Sequence, residues 1–141
     1  MDYMNEAKII LSNYRNLKIA LVNLKEKYVK LKYDDGVKGI EYGVSVQGGG
    51  GTDDKLINNI YEKKETHKQI VETQKMITRI NNILKNLDKE NREVLEKFYI
   101  KEKTITEILE EMHISKSQFY RLKTKALRQL AVQLFGIVAV A

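Results

Sequence analysis

The sequence predicts an all-α chain: two long N-terminal helices, arranged as a hairpin or coiled coil, followed by a compact three-helix unit. Three observations carry this expectation. Apolar residues recur at alternating spacings of four and three from Ile10 to Leu31, the period of a helix that seats against a partner helix. A second long amphipathic pattern follows a glycine-rich interruption. Two short segments towards the C-terminus each open on a capping box, the local signal that starts a helix.

The first helix is expected over residues 3–33, roughly 45 Å long at 1.5 Å per residue. Ile10, Tyr14, Leu17, Leu21, Leu24, Tyr28 and Leu31 form its heptad seam. A single rod cannot bury such a stripe, so these are the candidate oligomerisation residues. Ile9, Ile19, Val22 and Val29 widen the stripe and call for more than one neighbour.

A Gly-rich loop is expected at about residues 34–52. The four consecutive glycines at 48–51 carry too large a backbone entropy cost for a helix or strand interior. Residues 40–47 alternate weakly and admit a short strand without an evident pairing partner. Gly43 and Gly48 have the spacing that opens a phosphate-binding loop, but Gly49-Gly50 stands where Lys-Ser/Thr is required, which excludes that site. A linker that lets two helices reverse is a simpler reading than a contact arm.

The second helix is expected over about residues 53–86. Leu56, Ile60, Ile70, Ile77 and Leu84 follow one seam, which Lys63, His67, Gln74 and Asn81 interrupt. Polar residues in a seam lower stability and can fix register or oligomeric state. Ile57, Val71, Ile80 and Ile83 widen the apolar face. An antiparallel hairpin in each subunit, with subunits associating as a homodimer or higher oligomer, satisfies both seams. Residues 1–86 are therefore expected to form a helical oligomerisation region.

Downstream, Asp88 is a suitable N-cap for a helix whose stripe is Val94, Leu95, Phe98 and Tyr99. Thr104 and Glu107 then form a T-x-x-E capping box, and Ile105, Ile108, Leu109 and Met112 give the new helix one apolar face. His113 and Ile114 leave room for a tight turn. Ser115 and Gln118 form a second box, and the helix they start is expected to bury Phe119, Leu122, Ala126, Leu127 and Leu130. Two capped helices with so short a joint make a helix-turn-helix, whose second helix enters the major groove of double-stranded DNA. The upstream helix completes a core that two helices alone cannot build.

Charge points the same way. The net charge is +6, yet five Lys/Arg and no Asp/Glu lie between Met112 and Ala141. Residues 1–111 hold the other 20 basic and all 19 acidic groups. The excess is concentrated on the second helix of the motif, opposite an acidic first helix with Glu107, Glu110 and Glu111. A phosphate backbone attracts such a patch.

The segment NREVLEKFYIKEKTITEILEEMHISKSQFYRLKTKALRQL resembles region 4 of bacterial sigma factors, the part that reads the −35 promoter element. It is more similar still to phage regulators of late transcription of the ArpU and RinA type. These share the order of a helical N-terminal half, a Gly-containing segment and a sigma-like C-terminal helix-turn-helix. The resemblance covers residues 82–130 and is organisational before that. It implies a DNA-binding domain over 87–135 and a phage or prophage regulator acting at late-gene promoters in the bacterial cytoplasm, with a sigma-like contact to RNA polymerase. Two positions depart from the usual pattern: Leu109 stands where Ala allows close helix approach, and His113 replaces the turn Gly. Carried over by position, Ser115, Lys116, Ser117, Tyr120, Arg121 and Thr124 face the major groove. Arg121 is the first candidate for base readout, since Arg bonds guanine bidentately. Gln118 is divided between base readout and its cap. Lys123, Lys125 and Arg128 are assigned to phosphates, which position without reading sequence.

Other classes find little support. With 31% charged and 43% hydrophobic residues, the composition is that of a soluble helical protein. No apolar run reaches membrane-spanning length, and the N-terminus MDYMNEAK is no signal peptide. There is no cysteine for a disulfide, a thiol nucleophile or a zinc site. His67 and His113 lack metal-site spacing. Asp34-Asp35, Asp53-Asp54 and Glu110-Glu111 are adjacent pairs rather than convergent acid/base sets. No enzyme activity and no cofactor are expected. Residues 136–141 form an apolar tail. A structural DNA-packaging protein such as a phage terminase small subunit is the alternative class, since it also joins a helix-turn-helix to helical oligomerisation segments.

Overall fold

The fold is that of a computed structural model, which describes residues 1–33 and 49–140, with side chains described for 1–33 and 54–140. Every regular element among them is helical, as the patterning requires. In order they are α1 (Tyr3–Ser12), α2 (Tyr14–Tyr33), α3 (Gly49–Asn86), α4 (Lys89–Leu95), a π-turn (Glu96–Ile100), α5 (Ile105–Met112), α6 (Lys116–Phe135) and a closing 3-10 turn (Gly136–Ala139). Among the described residues no helix is long and apolar enough to cross a membrane. The strand expected at 40–47 lies outside the described residues, as does most of the expected loop.

Two expectations about the long helices are corrected. The continuous rod over 3–33 is broken at Asn13. There Ser12 Oγ donates to the Lys8 carbonyl and Asn13 Nδ2 to the Ile9 carbonyl, at 2.7 and 3.0 Å. Such side chains compete with the backbone ladder and bend it, and Asn13 N–H ends up shared between the Ile9 and Ile10 carbonyls. The second helix starts at Gly49 rather than near Asp53. Propagation adds a bond for each residue fixed, so a long helix can extend over poor helix formers at its end.

The chain divides into two compact units: residues 1–17 with 77–141, and residues 18–76. These differ from the expected division at residue 86, because α1 packs along α6. The first unit holds every buried apolar side chain among the described residues. Ala7 and Leu11 of α1, Ile77, Ile80, Ile83 and Leu84 of α3, and Val94 and Leu95 of α4 meet Phe119, Ala126, Leu127, Leu130, Ala131 and Leu134 of α6 in this core. The ring of Tyr3 lies 5.3 Å from that of Phe135. Buried Asn91 donates to Gln129 Oε1 at 2.6 Å, and the Asp88 N–H reaches the same oxygen. Asp88 therefore sits at the N-cap while its carboxylate caps nothing.

The second unit is an antiparallel pair. Asn59 Nδ2 donates to the Leu31 carbonyl at 3.2 Å, and the Tyr28 and His67 rings lie 5.9 Å apart. Its one fully buried side chain among the described residues is Thr66. Leu21, Leu24, Tyr28 and Leu31 are only half-buried.

Candidate nucleic-acid interface

The helix-turn-helix is built by local chemistry. Thr104 Oγ1 accepts from the Glu107 N–H at 3.2 Å and starts α5. Its hydroxyl also faces Glu107 Oε1 at 3.1 Å, so the carboxylate engages the Thr hydroxyl. His113 adopts φ 56° and ψ 47°, the left-handed conformation that the turn demands where Gly is usual. The Ile114 N–H then bonds the Leu109 carbonyl at 3.2 Å, the six-to-one bond of a Schellman turn. Ser115 opens α6 with a complete reciprocal box: Gln118 N–H to Ser115 Oγ at 3.1 Å, and Ser115 N–H to Gln118 Oε1 at 2.8 Å.

That box decides part of the candidate list. Gln118 Oε1 and Ser115 Oγ are committed to the cap, and Thr124 Oγ1 donates to the Tyr120 carbonyl at 3.0 Å. Lys116, Ser117, Tyr120, Arg121, Lys125 and Arg128 are exposed. Ser117, Arg121, Thr124 and Arg128 fall within one narrow sector of the helix by their spacing. Tyr120 is 46% exposed, with its ring edge-on to Phe119 at 5.2 Å. Arg128 lines a cleft of about 490 Å³ with Met1, Asp2, Tyr3 and Met4. Leu122 is half-buried.

Lys123 is placed differently from its exposed neighbours. It is half-buried, with its ammonium 4.3 Å from the Phe98 ring centroid and 5.7 Å from that of Tyr99. A cation over an aromatic face is attracted by the ring quadrupole. Burial lowers the Lys123 pKa, and the nearby Lys8 charge lowers it further. Beside it, Tyr99 has a hydroxyl without a hydrogen-bond partner among the described residues, and burial pushes its phenol up.

The frame under α5 is ionic. Glu111 takes Lys97 on one carboxylate oxygen and Lys103 on the other, each at 2.5 Å. The Lys103 hydrogen bond, followed by that from Lys97, holds the Glu111 carboxyl down at about 2. Its hydrogen bond to Glu111 raises Lys97 in turn. The neighbouring π-turn is closed by the Lys101 N–H, which reaches back to the Glu96 carbonyl at 2.8 Å. Glu102 then takes a left-handed φ of 52° and pairs with Arg15 at 2.6 Å. Sequence reasoning missed these pairs because each joins residues that share no periodic pattern. Among the described residues, no group of three His, Asp or Glu side chains is placed to hold a metal ion.

Residues 40–131 match the model of a family described as Protein of unknown function (DUF1492). The chain belongs to the DUF1492 family. The DUF1492 match takes in the helix-turn-helix as far as Ala131 and leaves α1 outside. No curated protein and no solved structure matches the chain.

The candidate oligomerisation residues divide between the units. Ile10 is half-buried in the first unit, and Tyr14 is buried there with its hydroxyl donating to Asn81 Oδ1. Leu17 is half-buried in the first unit, and Leu21, Leu24, Tyr28 and Leu31 are half-buried in the second, where the Tyr28 ring meets that of His67. What α2 leaves uncovered is its opposite stripe: Ile19, Val22 and Val29 are 49, 55 and 49% exposed. On α3, Ile57, Ile60 and Tyr61 are exposed as well.

Proposed function

We propose that the chain is a sequence-specific DNA-binding transcriptional regulator of the ArpU/RinA kind, encoded by a phage or prophage and acting at late-gene promoters. In this reading α6 enters the major groove, with Arg121 reading a base edge and Lys116, Ser117 and Tyr120 beside it. Lys125 and Arg128 meet phosphates. The sigma-like likeness of 82–130 extends the reading to a contact with RNA polymerase. The observation that carries it is the capped α5–α6 pair, whose second helix exposes basic residues with no acidic residue from Met112 onward. Titration of a labelled promoter duplex from the neighbouring genome, against a scrambled duplex, tests it.

The reading includes self-association through α2 and α3, supported by a second unit in which no described apolar side chain is buried. A two-helix pair without a dry core is marginal alone. One observation favours the alternative, a DNA-packaging protein of the terminase small-subunit class: α2 is apolar on two opposite faces. Contacts made through unlike faces close into rings rather than pairs. Sedimentation separates them, a dimer supporting regulation and a ring of roughly eight or more subunits supporting packaging.

A further inference from the structure

Along α6, Lys116, Tyr120, Lys123, Leu127, Ala131 and Leu134 succeed one another at spacings of four, three, four, four and three, which places them in one stripe. The stripe changes character along its length. Lys116 and Tyr120 are exposed, Lys123 is half-buried, and Leu127, Ala131 and Leu134 are buried. Helix α1 packs along this second half: the Tyr3 ring lies 5.3 Å from that of Phe135, Met1 to Met4 line a cleft with Arg128 and Val132, and α1 runs on from there past Lys8 in the direction of Lys123. The end of α1 that carries Lys8 therefore abuts the point where the exposed, groove-facing part of α6 begins.

The charges at this junction are unbalanced. Lys97 and Lys103 share Glu111, and Arg15 is paired with Glu102. Lys8 is exposed, and neither it nor Lys123 has an ion-pair partner among the described residues. Two adjacent cations disfavour each other unless an anion lies between them. Lys125 lies on the opposite flank of α6 by its spacing, so the two flanks address the two walls of a groove.

We infer that α1 belongs to the DNA-contacting surface, with Lys8 and Lys123 together holding a backbone phosphate of the duplex beside α6. This rests on the DNA-binding reading above. It extends that surface to a helix that lies outside the DUF1492 match. The phosphate displaces no protein acid and relieves the repulsion between the two ammonium groups. To reach the phosphate the Lys123 ammonium exchanges its place over the Phe98 ring for the anion.

The test uses the full-length chain and a fluorescently labelled random-sequence duplex, titrated between about 50 and 200 mM salt. One lost phosphate contact lowers the log–log salt slope by about 0.9, so affinity should change roughly threefold less across that range. Lys8→Gln and Lys123→Gln should each show this, whereas Lys30→Gln in the second unit should match the parent. Lys8 is exposed, so its substitution spares the fold, and circular dichroism checks Lys123→Gln. A parental slope in Lys8→Gln overturns the inference. If Lys125→Ala still weakens binding in that case, only the role of α1 fails. A parent chain that binds no duplex removes both readings together.

Discussion

Replacing Leu11 with alanine deletes three carbons from a side chain that is 0% exposed, on a helix that packs along α6. At about 0.8 kcal/mol per buried methylene the transfer term alone is roughly 2.4 kcal/mol. Neighbouring Ala7 is small and already fully buried, so the site cannot easily collapse, and a cavity term adds to the cost. Leu→Ala substitutions in cores span about 2–5 kcal/mol, and roughly 3–4 kcal/mol is expected here. Leu24→Ala, in the half-buried stripe of the second unit, should cost about half as much. Urea titration followed by circular dichroism measures both. Hydrogen exchange should show faster opening of α6 in the Leu11 variant, because α1 is part of the unit that α6 anchors. A loss below about 1 kcal/mol, with α6 protection unchanged, would refute the docking of α1 on the helix-turn-helix.

Three further outcomes follow from particular contacts. Glu111 has its pKa depressed from 4.5 to about 2, so its pairing stabilises above the unfolded value and is lost as pH falls from about 4.5 towards 2; Glu111→Gln should flatten stability over that window in acid titrations. His113→Gly should raise thermal stability by about 0.5–1 kcal/mol, since the left-handed backbone costs a side-chain-bearing residue roughly 1–2 kcal/mol and glycine recovers part of that; a loss of stability would point to a contact made by the imidazole. If the chain self-associates as proposed, Val22→Glu with Val29→Glu, both on the uncovered stripe of α2, should lower its sedimentation coefficient to that of a monomer while helicity persists, and an unchanged oligomer would move the interface elsewhere.

The parts of this fold that were legible in the sequence are those set by neighbours within a few residues. Thr104, Ser115 and Gln118 announce their helices because a cap is completed three positions away. The left-handed His113 follows from its place between two capped helices. The break at Asn13 was hidden because the stripe from Ile10 to Leu17 runs through it undisturbed, while the cause lies in two side chains that bond back to the backbone. The same stripe serves two units, with Tyr14 buried in one and Leu21 to Leu31 half-covered in the other. Periodicity reports that a face is covered without saying by what. Lys123 looked like its neighbours on α6 for the same reason: the aromatic pair beneath it arrives from the π-turn, out of reach of any local pattern.

Arg121 offers the most direct measurement of the DNA-binding account. The full-length chain and Arg121→Ala are titrated with a promoter duplex and a scrambled duplex at several salt concentrations, alongside Lys125→Ala. If α6 reads the major groove, Arg121→Ala loses about 1–3 kcal/mol on the promoter duplex and much less on the scrambled one. Lys125→Ala weakens both alike and lowers the salt slope by about one. Both variants binding both duplexes as the parent does would contradict the assignment of α6 as the recognition helix.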